Sequence, residues 1–406
     1  MSDRSNGRRS DGESDQGSRP SISFVTPRYG ADIIGGAEHA ARMLAERLVQ
    51  RGWKVEALTT VAGDIQRWAP GYPEGETIES GVVVKRFKVD KGRDPRFQLL
   101  TRPTEFYATS ATENEAADYL ELQGPVSGEL VEAIRESDSD HVAFYPYLYH
   151  PAVHGAKTVT DRVVLHPAAH DEAPLYLPVF KELFETAPRI VFHTAAEERL
   201  VRSVFRISQA RRITLGLGMD PAPENAPDNG AEILGFDPAQ PYICAVGRVD
   251  TLKGTTMLAD FVASYRERHS VKPNLALVGT VAVAPDEKPW LKITGPVSEE
   301  EKWAIIKGSS ALISPSYYES FSLVMMEAWS VAKPVMVNSR CEPTREHVER
   351  SGAGVHFGDY PQFEVGLELI LEQPVVASEL SSLGQQYVTD NYSWQVVMDR
   401  YTNFLH

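Results

Sequence analysis

Short apolar runs alternate with longer stretches of helical spacing along nearly the whole chain, and the alternation occurs in two series. The first run, Ser21-Ile-Ser-Phe-Val-Thr-Pro27, reads as a strand. A loop carrying Gly35-Gly36 follows. Ala37, Ala40, Ala41, Leu44 and Leu48 then recur at the spacing of an amphipathic helix, and Lys54-Val-Glu-Ala-Leu-Thr-Thr60 reads as the next strand. Strand, glycine loop, helix and strand make a βαβ unit. Further strands are predicted at 82–87, 141–145, 162–165 and 189–193, with helical patterns from Asn114 onward and over 128–134. Such alternation predicts a mostly parallel sheet covered on both faces. Residues 88–102 are basic and irregular; they read as a surface connection, with a mobile loop near an acceptor as the alternative.

After Gly216-Leu-Gly-Met-Asp-Pro221 the composition changes. Residues 221–241, rich in Pro, Asn, Asp and Gly, read as a linker or long connection. A second series of strands is predicted at 242–247, 274–279, 291–294, 310–313, 334–337 and 354–357. The closing segment, 392–405, reads as a helix capped by Ser393, with Trp394, Val397, Tyr401 and Phe404 on one face. The expected organisation is a disordered tail over 1–20, an α/β domain over 21–217, a second over 218–388 and a C-terminal helix over 389–406.

Composition narrows the partners. At 406 residues and 42% hydrophobic content the chain is long enough for two domains with sizeable cores. A formal net charge of −15 argues against a nucleic-acid partner and against a purely electrostatic membrane anchor. The two cysteines, Cys244 and Cys341, lie far apart, so no disulfide is expected and a reducing compartment fits. The first twenty residues have the composition of a disordered tail and lack a signal peptide's apolar region. No run is long and apolar enough to span a bilayer. A soluble, cytoplasmic protein is expected.

The chemistry concentrates in Ser314-Pro-Ser-Tyr-Tyr-Glu-Ser-Phe-Ser-Leu-Val-Met-Met-Glu-Ala-Trp329. Glu319 and Glu327 stand eight positions apart; on one helix they would lie ~12 Å apart along the axis and ~80° apart around it, too far to meet one small group. With Glu319 in a turn and Glu327 on the helix, both can edge a cleft at the carboxyl end of a strand. Between them the backbone N–H groups of Phe321, Ser322 and Leu323 are placed for an anion at a helix N-terminus. Gly247-Arg-Val-Asp-Thr-Leu-Lys-Gly254 also joins a strand to a helix and sets Arg248 and Lys253 at the same edge. Two cations there can stabilise a departing diphosphate without a metal; the plain alternative is a pair of solvated surface charges.

Gly35-Gly36 allows a close backbone approach at a helix start, although a glycine pair is more often just a turn. It is not the dinucleotide fingerprint, so hydride chemistry gains little support. His166-Pro-Ala-Ala-His170-Asp171-Glu172 ends a predicted strand; a histidine there can hydrogen-bond a sugar hydroxyl or orient an acceptor, with a solvent-facing or structural histidine as the ordinary alternative, and His170 is favoured over His166 for its acidic neighbours. Metal readings are weaker. His150 and His154 have helical ligand spacing, but neither they nor His166 and His170 have a cysteine nearby, and Pro167 breaks the second pair. Asp138-Ser-Asp140 precedes a strand rather than following one and reads as a solvated turn.

Taken in order, the Gly-Gly loop, the His-Asp-Glu loop, Gly-Arg-x-Asp-x-x-Lys-Gly and Glu-x7-Glu resemble the retaining glycosyltransferases of family 4, from about Ser21 to the end of the chain. The resemblance implies the GT-B fold: two Rossmann-like domains facing a central cleft, with the final helix crossing back onto the first. It implies that Arg248 and Lys253 hold the diphosphate of a nucleotide-sugar donor. Glu319 would contact the sugar's hydroxyls, the amides of Phe321, Ser322 and Leu323 the sugar and phosphate, and Glu327 the ribose diol. Gly35 and Gly36 would let the first domain close on the phosphates, and His170 would lie near donor sugar and acceptor. Transfer would retain the anomeric configuration, needing no cofactor or metal beyond the donor. The acceptor would be a sugar, a lipid-linked carrier or a small molecule, in polysaccharide, glycolipid or glycoconjugate synthesis, with peripheral membrane contact open. Departures lie at Leu277-Val-Gly-Thr280, at the loop 281–289 and at Arg340-Cys-Glu-Pro-Thr-Arg345, so the base is left unassigned between uracil and guanine. The competing readings are a nucleotide-sugar epimerase of the same fold and a catalytically silent sugar-nucleotide-binding protein.

Overall fold

The structure, a computed structural model, describes residues 19–33, 35–223 and 227–406. The tail expected over 1–20 therefore lies almost wholly outside the described residues. The chain builds two α/β domains, each around its own sheet. The first sheet has eight strands: β1 (Ser21–Val25), β2 (Lys54–Thr60), β3 (Gly75–Glu79), β4 (Val82–Phe87), β5 (His141–Phe144), β6 (Val163–Leu165), β7 (Arg189–Phe192) and β8 (Arg211–Thr214). Their spatial order is β3-β4-β2-β1-β5-β6-β7-β8. All neighbours pair in parallel except the hairpin β3–β4, in which Gly75 faces Arg86 and Glu79 faces Val82. The second sheet has six parallel strands: β9 (Tyr242–Val246), β10 (Asn274–Val278), β11 (Leu291–Gly295), β12 (Ala311–Ser314), β13 (Val335–Asn338) and β14 (Gly354–Phe357), in the order β11-β10-β9-β12-β13-β14.

Burial explains which strands the apolar pattern revealed. β1, β10, β12 and β13 are buried at every position, as strands covered by helices on both faces must be, and they read as apolar runs. β3 and β8 were not predicted. β3, Gly75-Glu-Thr-Ile-Glu79, is an exposed edge strand, and β8 at the opposite edge begins with Arg211-Arg212. Edge strands carry charge to discourage pairing with other chains, which removes the apolar signal. The segment 88–102 is likewise more regular than expected: its end enters the helix Phe97–Phe106, which tolerates Pro103.

The helix Gly36–Gln50 buries Ala40, Ala41, Leu44 and Leu48 against the first sheet, as the spacing requires. The closing helix, Trp394–Leu405, crosses back onto the first domain. Val397, Tyr401 and Phe404 are buried in the core it shares with β1 and β2. Burying three such side chains is worth roughly 1.5–3 kcal/mol each. His166 donates or accepts a hydrogen bond to the Tyr401 hydroxyl at 2.9 Å, and Arg51 pairs with Asp399 at 2.5 Å. Ser393 stands at the N-cap as expected, but its side chain makes no capping bond.

Candidate active site in the interdomain cleft

The loops leaving the carboxyl ends of β6 and β7 meet those leaving β12 and β13. The His170 imidazole lies beside Glu319 across the junction, both lining one cavity. Arg199, on the helix Ala195–Val204, pairs with Glu342 at 2.7 Å and with Glu346 at 3.1 Å, and Glu346 also accepts from the Ala195 N–H. Between these contacts lies a cavity of about 590 Å³, lined by His170, Asp171 and Arg199 from the first domain and by Tyr317, Glu319 and Arg340 from the second. A small recess beside it is lined by Arg248, Lys253, Ser314, Ser316, Glu319 and Val324. Glu319 alone among the candidate site residues lines both. A larger cavity, about 1210 Å³, sits where Arg47 and Trp394 meet Asp220 and Gln385, and it holds none of the candidate site residues.

Each group is positioned by local chemistry. The turn after β9 is organised by Asp250, which is 7% exposed. Its carboxylate accepts the Lys253 N–H at 2.7 Å and pairs with the Arg248 guanidinium, so both cations lean on one buried acid. Lys253 Nζ then donates to Glu319 Oε1 at 2.7 Å. Gly254, at φ +70°, brings this turn against the next one: a Cβ there would sit 2.3 Å from the Pro315 carbonyl oxygen. Asn338 at the end of β13 donates to the same carbonyl at 3.0 Å.

Glu319 lies in the turn and Glu327 on the helix Leu323–Ser330, as expected. Ser322 precedes that helix in the left-handed region, at φ +69°, and its hydroxyl is buried without a partner. Among the described residues, the N–H groups of Phe321, Ser322 and Leu323 have no backbone or side-chain acceptor, while the Phe321 ring is buried against His193, His347 and Tyr392. Three open amides at a helix start form a site of positive potential. Glu327 pairs with Lys302 at 2.7 Å, and burial raises its carboxyl above the ordinary range despite that partner. Burial lowers the His170 imidazole, with the Glu319 carboxylate opposing, so the ring is neutral near pH 7.

Gly35 and Gly36 start the helix Gly36–Gln50. Gly35 makes room for an ion pair: Arg28 Nη2 meets Glu38 Oε1 at 2.7 Å with both side chains 5% exposed, and a Cβ at Gly35 would fall 2.3 Å from Glu38 Oε2. Gly36 is exposed, with open space where its Cβ would be.

Glu121 approaches His150 and His154, with ligand atoms within 4.8 Å of one another. The two imidazoles stack with centroids 4.2 Å apart and planes at 28°. Asp140 accepts from the Ser21 N–H and hydroxyl, both at 2.8 Å, and Asp138 is exposed beside Lys54. Both lie at the amino ends of strands, away from the cleft. His166 is fully occupied in the core with Tyr401 and Tyr145.

Residues 228–387 match the family model for glycosyl transferases group 1. That segment holds Arg248, Lys253, Glu319, Phe321, Ser322, Leu323 and Glu327, whereas Gly35, Gly36 and His170 lie outside it. The chain is 26% identical over 271 residues to a D-inositol 3-phosphate glycosyltransferase of Mycolicibacterium gilvum, covering 61% of this chain and 59% of that protein. It spans 39% of the length of the glycogen synthase of Mycobacterium tuberculosis, which it matches at 25% identity. Among solved structures, sucrose-phosphate synthase from Thermosynechococcus elongatus superposes with TM-score 0.70 at 18% identity, covering 95% of this chain and 98% of that one. Anabaena HepE in complex with UDP-glucose superposes with TM-score 0.66 at 15% identity, covering 95% and 99%. The fold is GT-B, with two α/β domains and a crossing C-terminal helix. Among the described residues no helix is long and apolar enough to cross a membrane.

Several groups beside the group 1 segment's motifs escape a reading of the sequence. Lys302, the partner of Glu327, sits on a separate helix, and nothing in its neighbourhood marks it. Arg28 and Glu38 are ten positions apart and reveal themselves only once Gly35 is seen to clear their contact. Asp250 was visible inside Gly-Arg-x-Asp, and its role as the shared anchor of both cations was not.

Proposed function

We propose that this protein is a glycosyltransferase that moves a sugar from a nucleoside diphosphate donor to a hydroxyl acceptor, with retention at the anomeric carbon and without a catalytic metal. The observation that carries the proposal is the Lys253–Glu319 pair, set between open helix-start amides on one side and His170 on the other. Without donor, Glu319 holds the Lys253 ammonium. A diphosphate binding at Arg248, Lys253 and the amides of Phe321, Ser322 and Leu323 takes that ammonium for itself. Glu319 is then released to accept hydrogen bonds from the donor sugar in the adjoining cavity. Glu327 takes the ribose diol, sharing Lys302, and Gly36 leaves the first domain an open backbone against the phosphates.

The acceptor hydroxyl attacks the anomeric carbon from the face the diphosphate leaves. The carbon–oxygen bond to the diphosphate breaks, its electron pair stays on the phosphate oxygen, and that oxygen takes the acceptor's proton. Negative charge gathers on the leaving group, where fixed cations and amide dipoles lower the barrier most. Neutral His170 can hydrogen-bond to a sugar hydroxyl without adding a competing charge. The bound UDP-glucose of Anabaena HepE and the match of residues 228–387 to glycosyl transferases group 1 support this reading. Carbohydrate biosynthesis inside the cell is the setting it fits.

The direct test is a panel of nucleotide sugars scored by thermal shift, followed by NMR of the product formed with the best donor. Release of nucleoside diphosphate together with an inverted product would remove the retaining mechanism. Absence of stabilisation by every nucleotide sugar would remove the transferase.

A further inference from the structure

Glu197 is 1% exposed and has no lysine or arginine beside it among the described residues. A lone buried carboxyl is costly, so its surroundings must satisfy it. They do so with backbone. Oε1 accepts the Ala169 N–H at 2.8 Å and Oε2 the His193 N–H at 2.7 Å, and the amides of Ala168 and Thr194 also reach the carboxyl. Glu197 stands third in the helix Ala195–Val204, where the helix start favours negative charge. The helix does not need Glu197 for its cap, because Thr194 Oγ1 already accepts the Glu197 N–H at 3.1 Å.

What the carboxyl holds is the loop that ends in His170. Ala168 sits at φ +52°, a region an L side chain rarely adopts and one that persists only when its surroundings enforce it. Two residues later the His170 imidazole stands beside Glu319 across the cleft, both lining one cavity. Glu197 thus ties two loops, after β6 and after β7, into one rigid edge. Behind it, His193 Nε2 bonds to the Tyr145 hydroxyl, Tyr145 stacks on His166, and His166 bonds to Tyr401 of the crossing helix.

We propose that Glu197 is a positioning residue for sugar transfer: by gripping the Ala169 amide, next to the strained Ala168, it fixes His170 against Glu319 at the donor sugar. The proposal rests on the reading that His170 and Glu319 line the donor-sugar site. Glutamine at 197 keeps one acceptor oxygen but turns an NH2 group toward an amide N–H, so Glu197→Gln should release the loop. The expected result is a fall in kcat of about 10- to 100-fold, in the range of a misplaced site group. The affinity for UDP or GDP, held by the second domain, should stay within about twofold, because a group that acts on the chemical step leaves nucleotide binding unchanged.

The His170 side-chain NMR signals of histidine-labelled protein, assigned with His170→Ala, should move in Glu197→Gln. Thr194→Ala, which removes the helix cap but not the grip, should cost stability and leave kcat near wild type. Should Glu197→Gln unfold, Ala168→Gly in the same background supplies the second arm: glycine adopts the positive φ without help, so folding and part of the activity should return. Wild-type kcat and unmoved His170 signals in Glu197→Gln would overturn the proposal. So would an equal kcat loss in Thr194→Ala, or no rescue by Ala168→Gly where Glu197→Gln unfolds. If the His170 signals move while His170→Ala itself transfers sugar at the wild-type rate, the grip stands and the donor-site reading fails.

Discussion

The two sides of the cleft are held by different means. On the second domain, side chains close in sequence do the work: Asp250 sets Arg248 and Lys253, and one ion pair reaches across to the next turn at Glu319. On the first domain the site edge is a backbone loop, carried by a buried acid more than twenty positions further along the chain. The contrast teaches that charge recognition can be written in short motifs, whereas placement of a neutral imidazole depends on packing assembled from distant segments.

That contrast can be broken in order of expected effect. Glu319→Gln keeps the shape of the side chain and removes the charge; transfer should fall by roughly 10²–10³-fold, with a circular dichroism spectrum unchanged. Full transfer in that variant would take Glu319 out of the site. Neutralising the cations should act on binding first: Arg248→Met with Lys253→Met should weaken nucleoside diphosphate affinity by about 10- to 100-fold in calorimetry, the scale of one or two charge-assisted bonds. Unchanged affinity would return both to the status of solvated surface charges.

Acid should strain both domains through neutral buried histidines. Burial lowers His166, His193 and His347 to about 3. Their contribution is complete above the unfolded value near 6.5 and is lost as pH falls from there toward 3, because the unfolded chain takes up the proton first. At pH 5 each costs about 2 kcal/mol. Glu172, raised by burial to about 7, works in the opposite direction, since its folded form keeps a proton the unfolded chain has released. Comparing His347→Gln with wild type isolates one term: the difference in unfolding free energy, from denaturant titrations, should change by about 2 kcal/mol between pH 7 and pH 5. The smallest effect belongs to the exposed bridge between domains. Arg199→Ala should cost about 0–1 kcal/mol of stability, since Arg199 is half exposed and partly screened. It should nonetheless raise hydrogen exchange in the first turns of the helix Glu342–Ser351.

The same contrast decides how much could be read in advance. Buried parallel strands such as β1, β10 and β12 announce themselves as apolar runs, so both sheets and their order of appearance were legible. Edge strands β3 and β8 were not, because their function as edges requires the charge that hides them. Arg248, Lys253, Glu319 and Glu327 were visible because strand-to-helix turns place them within a few residues of a recognisable break. Lys302, Arg28, Glu38 and Glu197 were invisible as site groups, since each matters through a partner that only folding brings near. His170 was preferred over His166 for its acidic neighbours; the better reason, seen only in the fold, is that His166 is occupied by Tyr401.

The bond from His166 to Tyr401 joins positions 235 apart in the chain. Synthesis runs from the amino end, so the first domain's core has a gap at Val397, Tyr401 and Phe404 until the last helix leaves the ribosome. A first domain cut from its neighbour would lack that part of its core. Contacts of such range slow folding and leave apolar surface open meanwhile, which makes this helix a place where chaperone dependence would first show.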